Sequence, residues 1–234
     1  MSLLHVDLAS TGLNQLSSIE IASIVAPLAA FWLSCCFLEF LAPALPFLDK
    51  YRVVSKDRRI FEKNLAPFDD VLWSAFHQQL LQAAIAIVFA VVTHDPLEAN
   101  RIEDPATLVL KLVGGFVVMS TYQFWAHRYM HHNPWIFRNV HSVHHRILET
   151  HAFTAFYEHP LETVVNLLGG AIGCVVFSMT PFTGAIYCTI TTVKAVEEHS
   201  CYRFPLFSVT PSYLSNAEHH RIHHLSKGIK SNFD

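Results

Sequence analysis

His127-Arg-Tyr-Met-His131-His132-Asn133-Pro134-Trp-Ile-Phe-Arg-Asn-Val-His141-Ser-Val-His144-His145 is the stretch on which the reading of this chain turns. Its histidines are spaced three or four apart, and the same spacing returns in His220-Arg-Ile-His223-His224. On a helix such residues stack on one face, about 5–6 Å apart at Cβ. Two imidazoles so placed can converge on one metal ion, as in HExxH helices. The local signals are helical. An apolar helix can run through His132 until Asn133-Pro134 stops it. A second short helix can begin at Pro134, a tolerated first position. The clusters offer eight ligands in His127, His131, His141, His144, His145, His220, His223 and His224. A structural zinc takes four. Eight therefore point to two ions, which in dinuclear sites commonly lie about 3.5–4 Å apart.

Outward from this stretch the chain is apolar. Of its 234 residues 52% are hydrophobic and only 15% charged, against roughly 25% charged in ordinary soluble proteins. A membrane-spanning helix needs about 20 apolar residues, and four stretches qualify: 19–47, 71–93, 107–125 and 164–193. Pro27, Pro43 and Pro46 suggest that the first breaks into a span and a shallow segment. Pro181 divides the fourth into a hairpin of two shorter helices. The predicted fold is an all-α integral-membrane bundle of about four spans with a helical cap that carries a histidine-rich dimetal site. No repeat or linker divides it, so residues 1–234 read as a single domain. No cleavable signal peptide is evident.

Lys50, Arg52, Lys56, Arg58, Arg59 and Lys63 fill the first loop, whereas the loop from His94 to Ala106 holds only Arg101 among acids. The positive-inside rule then puts the first loop, and with it the histidines, on the cytoplasmic side. Trp73, Trp125, Trp135, Tyr122 and Tyr129 fall where spans should meet headgroups. Cys35, Cys36, Cys174 and Cys188 lie in apolar runs and read as small hydrophobes. A net charge of −3 gives no basic field to attract nucleic acid.

Histidine is the anomaly of the composition: 13 of 16 fall between His127 and His224. His5, His77, His94 and His151 stand alone and read as ordinary structural residues. Polar groups inside spans are functional candidates by default, which singles out Glu39, Gln78 and Gln82; for the glutamines, bonds to neighbouring helices are the favoured reading. Glu158, Glu197, Glu198 and Glu218 are candidates to orient imidazoles through their far nitrogens. A metal transporter is disfavoured, because transport ligands lie near the bilayer midplane and these histidines lie outside the apolar runs.

The HX3HH, HX2HH and final HX2HH boxes resemble the fatty acid hydroxylase and sterol desaturase superfamily over roughly residues 61–233. Thr192-Val193-Lys194 with Glu197-Glu198-His199, and Gly228-Ile229-Lys230-Ser231-Asn232-Phe233, look most like sphingoid-base C4-hydroxylases. Glu158-His159-Pro160-Leu161-Glu162 is similar to sterol C4-methyl oxidases. The resemblance implies two iron ions, with zinc as a substitute that imidazole also accepts, and O2 as oxidant. It implies electrons from NAD(P)H through cytochrome b5 and its reductase, and a place in the endoplasmic reticulum membrane. It adds His199 and His159 to the expected ligands, with His132 and His219 as adjacent spares. The expected reaction is hydroxylation of a long-chain lipid, first a sphingoid base. The alternatives are a sterol or specialised-metabolite oxidase and a catalytically inactive relative. Chains of this kind usually continue for some tens of residues beyond the Asn-Phe step, in a stretch expected to close the substrate channel.

Overall fold

The computed structural model describes residues 12–54, 58–205, 216–225, 228–231 and 233. His5, Lys56, Asn232 and Asp234 lie outside them, and of Arg58 and Arg59 only the backbone is described. Helix α1 (Ser18–Cys36) starts at a capping box: Ser17 Oγ accepts from the Glu20 N–H, and Glu20 Oε2 accepts from the Ser17 N–H. The two bonds satisfy donors that a helix start leaves open. The expected break falls at Leu45, whose backbone is extended between the turn at Ala42–Ala44 and a 3-10 helix at Pro46–Tyr51, and not at Pro27. Pro27 is absorbed inside α1, and only the winding changes, to a π turn at Phe37–Leu41 and a 3-10 turn at Ala42–Ala44. Helical backbone is thus continuous over Ser18–Ala44.

Helix α2 spans Phe68–Thr93 and α3 spans Pro105–His132. With Ser18–Ala44 they are the three helices among the described residues that are long and apolar enough to cross a membrane. Asn133 stops α3 and starts α4 (Pro134–Ile136), its Oδ1 accepting from Trp135 and Ile136 N–H. A π turn over Phe137–His141 and a 3-10 turn over His144–Arg146 follow. The fourth apolar stretch is the expected hairpin: α5 (Pro160–Val176), a turn, and α6 (Pro181–His199). Ser178 in that turn has φ 44°. Helix α7 (Ala217–His224) is the last among the described residues.

Helix α1 lies along α6, and α3 along α5. Tyr187 of α6 wedges between α3 and α5 and donates to the Gly115 carbonyl at 3.1 Å. A Cβ on Gly115 would meet the Tyr187 ring at 3.0 Å, and one on Gly173 would meet its hydroxyl at 2.6 Å. Small residues there let the three helices approach, the usual device where lipid removes the hydrophobic drive between helices. Phe31, Phe153 and Phe156 fill the α1 side, with Phe31 and Phe156 stacked at 4.7 Å.

The two ends of the bundle differ. At one, the basic loop after α1 binds the histidine-bearing segments. Leu65 N–H donates to the Arg146 carbonyl, Asn64 Oδ1 accepts from Leu148 and Glu149 N–H, and Val53 N–H donates to the Cys201 carbonyl. At the other end, Glu103 bonds Lys111 and Thr183, Lys111 also reaches the Ser178 carbonyl, and His94 pairs with Glu20 at 2.8 Å. Gln78 bonds the Glu158 carbonyl and Thr163, so it ties α2 to α5 as the packing reading expects. The Tyr122 hydroxyl donates to the Val165 carbonyl of α5. Trp73, Trp125, Trp135 and Tyr129 are exposed.

Candidate metal centre

Five elements bring imidazoles to one place: the end of α3, the turns after α4, the end of α6, and α7. They sort into two groups. His127, His131, His141, His145 and His223 form one; His144, His199, His220 and His224 form the other. Within each, one ligand atom per residue lies within 4.8 Å of all the rest. Nine of the ten histidines expected as ligands are therefore drawn together.

Helix spacing decides the sorting. The i, i+4 pairs His127/His131, His141/His145 and His220/His224 each enter one group, as residues one turn apart share a face. The i, i+3 pairs His141/His144 and His220/His223 are split. So are the adjacent pairs His144/His145 and His223/His224. Each of the last two boxes thus serves both groups.

Six of the nine far nitrogens are fixed. Nδ1 of His127 donates to the Phe233 carbonyl, His144 to Tyr157, His199 to Ala195, His223 to Ser231 and His224 to Ile147, at 2.7–3.0 Å. His141 Nδ1 donates to Glu162 Oε1 at 2.7 Å. A carbonyl or carboxylate oxygen only accepts, so the proton of these rings sits on Nδ1 and the Nε2 lone pair points inward. Yet Nε2 of His141 is 3.1 Å from that of His127 and 2.8 Å from that of His131. In the other group His220 lies 2.9 Å from His199 and 3.0 Å from His224, and His199 3.4 Å from His144.

Between His127 and His141, and between His144 and His199, both Nε2 atoms carry lone pairs, which repel at such distances unless a cation lies among them. Ligands at about 2.1 Å from one ion would be about 3.0 Å apart at a right angle and about 3.4 Å at a tetrahedral one. The donor set fits metal ions in both groups. Burial, and then neighbouring imidazoles, hold His144, His145, His220 and His224 well below the ordinary histidine pKa. Burial lowers His223 to about 4. These rings are neutral at pH 7, the form that binds metal.

Two features outside the boxes support the centre. Arg221 makes a bidentate pair with Glu149 at 2.5 and 2.9 Å, which fastens α7 beside the second box. The segment 228–233 supplies the Ser231 and Phe233 carbonyls and lays the Phe233 ring against His127, His131 and His223.

The tenth expected ligand, His159, joins neither group. It caps α5, its Nδ1 accepting from the Leu161 N–H, because the following Pro160 starts the helix. His132 donates to the Arg128 carbonyl, and His219 stands outside both groups. His151 caps the turn at Ala152–Phe156, and His77 bonds the Trp73 carbonyl. Of the acids named as orienting candidates, Glu197 and Glu198 bond Lys194, Glu218 bonds Arg203, and Glu158 bonds Thr163 and Asn166. The carboxylate that meets an imidazole of the two groups is Glu162, which sequence reasoning missed. Its one signal was an acid inside the first turn of an apolar helix.

These features define a multi-pass helical membrane protein with a metal-binding centre built from histidines. The fatty acid hydroxylase family model matches residues 112–234. The chain belongs to the fatty acid hydroxylase family. It is 34% identical to sphinganine C4-monooxygenase 1 of Arabidopsis thaliana, over 92% of this chain and 82% of that protein. It is 31% identical to very-long-chain aldehyde decarbonylase GL1-9 of Oryza sativa subsp. indica, over 92% and 83%. Methylsterol monooxygenase 1 of Danio rerio is 28% identical, over 82% of this chain and 66% of that protein. No solved structure matches.

Proposed function

We propose that this protein is a diiron lipid hydroxylase that inserts one oxygen atom into a C–H bond of a long-chain sphingoid base. That it is an oxygenase of its family follows from the family match and the monooxygenases among its relatives. The observation that carries the diiron reading is the convergence of nine Nε2 atoms in groups of five and four. The sphingoid substrate is supported by relatives named for sphinganine C4-oxidation, one of them at 34% identity.

His127, His131, His141, His145 and His223 would hold one ion, and His144, His199, His220 and His224 the other. Bound there, iron supplies the activation of O2 and of an unreactive C–H bond that no side chain can provide. The balance is R–H + O2 + 2 e− + 2 H+ → R–OH + H2O, with electrons from NAD(P)H through cytochrome b5 and its reductase. The chain's own part is to gather nine imidazoles and to aim six of them through Nδ1. Carbonyls and Glu162 hold the Nδ1 protons, and the Phe233 ring covers the five-histidine side.

The whole chain serves as one domain in this reading. The centre lies at the cytoplasmic face of the endoplasmic reticulum membrane, since the basic loop after α1 bonds the same end of the bundle. Cytochrome b5 then docks on that side, while a lipid tail arrives laterally from the bilayer.

The test is expression in cells lacking their own sphingoid C4-hydroxylase, followed by lipid mass spectrometry. A product heavier by one oxygen, lost in a His144→Ala, His145→Ala double variant, is expected. Loss of two hydrogens would mean desaturation. An oxidised sterol methyl group instead would move the assignment to the sterol oxidases, and no product from metal-loaded protein would mark an inactive relative.

A further inference from the structure

The two histidine groups differ in one bond. Five of the six Nδ1 atoms described above donate to backbone carbonyls; His141 alone donates to a carboxylate, Glu162. Both side chains are buried, 1% and 4% exposed. The second Glu162 oxygen is also buried and makes no hydrogen bond. Glu162 stands in the first turn of α5, where the positive end of the helix dipole favours a negative charge.

A carboxylate is a stronger acceptor than an amide carbonyl, and a charge-assisted bond is roughly twice as strong as a neutral one. As it draws on the Nδ1 proton, it raises electron density at the opposite nitrogen, and the imidazole becomes a better donor. His141 Nε2 lies within 3.1 Å of Nε2 of His127, His131 and His145. The effect therefore enters the five-histidine group alone. The four-histidine group shows no carboxylate on the Nδ1 atoms of His144, His199 or His224.

We propose that Glu162 is a positioning residue that makes the two metal positions electronically unequal, with the five-histidine ion held more tightly and bound to the stronger donor. This rests on the reading that both groups hold ions. Glu162 touches neither position itself; it acts through His141.

The test uses the full chain in detergent, loaded with 57Fe, as wild type, Glu162→Gln and Glu162→Leu. The glutamine keeps the shape and an acceptor oxygen but not the charge, so it preserves the fold if the leucine does not. Wild type is expected to give two Mössbauer doublets of equal area. Glu162→Gln shifts one of them, the same doublet that His145→Ala removes. It also speeds the loss of one ion to a chelator by about tenfold, the low end for losing such a support. The other doublet and the other release rate stay fixed. Two bound ions with an unchanged spectrum and unchanged release in Glu162→Gln would overturn the proposal, as would equal changes at both positions. Fewer than two ions in wild type would overturn the metal reading beneath it, a failure told apart by the wild-type count alone.

Discussion

His144 and His145 are neighbours in the chain, yet their side chains enter different histidine groups. They lie in a tight turn, where successive side chains point about 120° apart. A single alanine at either position should therefore empty a different position. Detergent-purified wild type is expected to hold about two ions, the number a dinuclear centre takes, and each single variant about one. Metal content by mass spectrometry, with Mössbauer spectra of 57Fe-loaded protein, checks this. Loss of the same spectral component in both variants would sink the split arrangement.

The centre should fail on the acid side. Burial depresses His144, His145, His220, His223 and His224 in the folded chain below the unfolded value of about 6.5. Between the two values the unfolded chain binds more protons, so stability rises with pH there and falls as pH drops below about 6.5. Protons also compete with metal for Nε2, which gives the same sign. Melting temperature and bound metal should both decline from pH 6.5 toward 4, where His223 itself takes up a proton. A protein equally stable and fully loaded at pH 4.5 would contradict this.

Gly228 should not accept a side chain. A Cβ there would lie 1.9 Å from the Ile222 carbonyl oxygen and 2.6 Å from its carbon, both backbone. Gly228→Ala must push the 228–233 segment off α7, and with it the Ser231 and Phe233 carbonyls that hold His223 and His127. Forced overpacking of this kind costs about 1–3 kcal/mol. A lower melting temperature and faster chelator release from the five-histidine group are expected. Unchanged release would mean that the segment does not hold these rings.

Ser178 offers a change of opposite sign. Its φ of 44° is strained for serine and free for glycine. The Lys111 bond there uses the backbone carbonyl, so Ser178→Gly leaves it in place. The variant should gain about 1 kcal/mol, read as a higher melting temperature in detergent with metal content unchanged. A lower melting temperature would show that the serine side chain contributes to the turn.

The parts of this architecture that depend on short spacing could be read from the chain. Asn133-Pro134 marks where α3 ends, Pro181 marks the hairpin, and i, i+4 histidines mark shared faces. Parts that depend on distant partners could not. Glu162 meets His141 from 21 residues away, and no periodicity announces it. His159 is expected as a ligand only from the resemblance, whereas Pro160 makes it a helix start. Pro27 looked like a breaker, but neighbouring helices tolerate a proline inside a span. The splitting of His144 from His141 recurs for His220 and His223 within the regular helix α7, so it belongs to the i, i+3 spacing, but which group each ring joins depends on partners far along the chain.

His127 is oriented by the carbonyl of Phe233, 106 residues further along the chain. During synthesis the first box is threaded into place long before its acceptor has been translated. An ion that arrives early meets a ring free to turn, and a cradle still open on the side that Phe233 later covers. On the dinuclear reading, the anchored form of His127 exists only once the 228–233 segment has been made. A chain ending before that segment would carry the first histidine box without the carbonyl that orients His127.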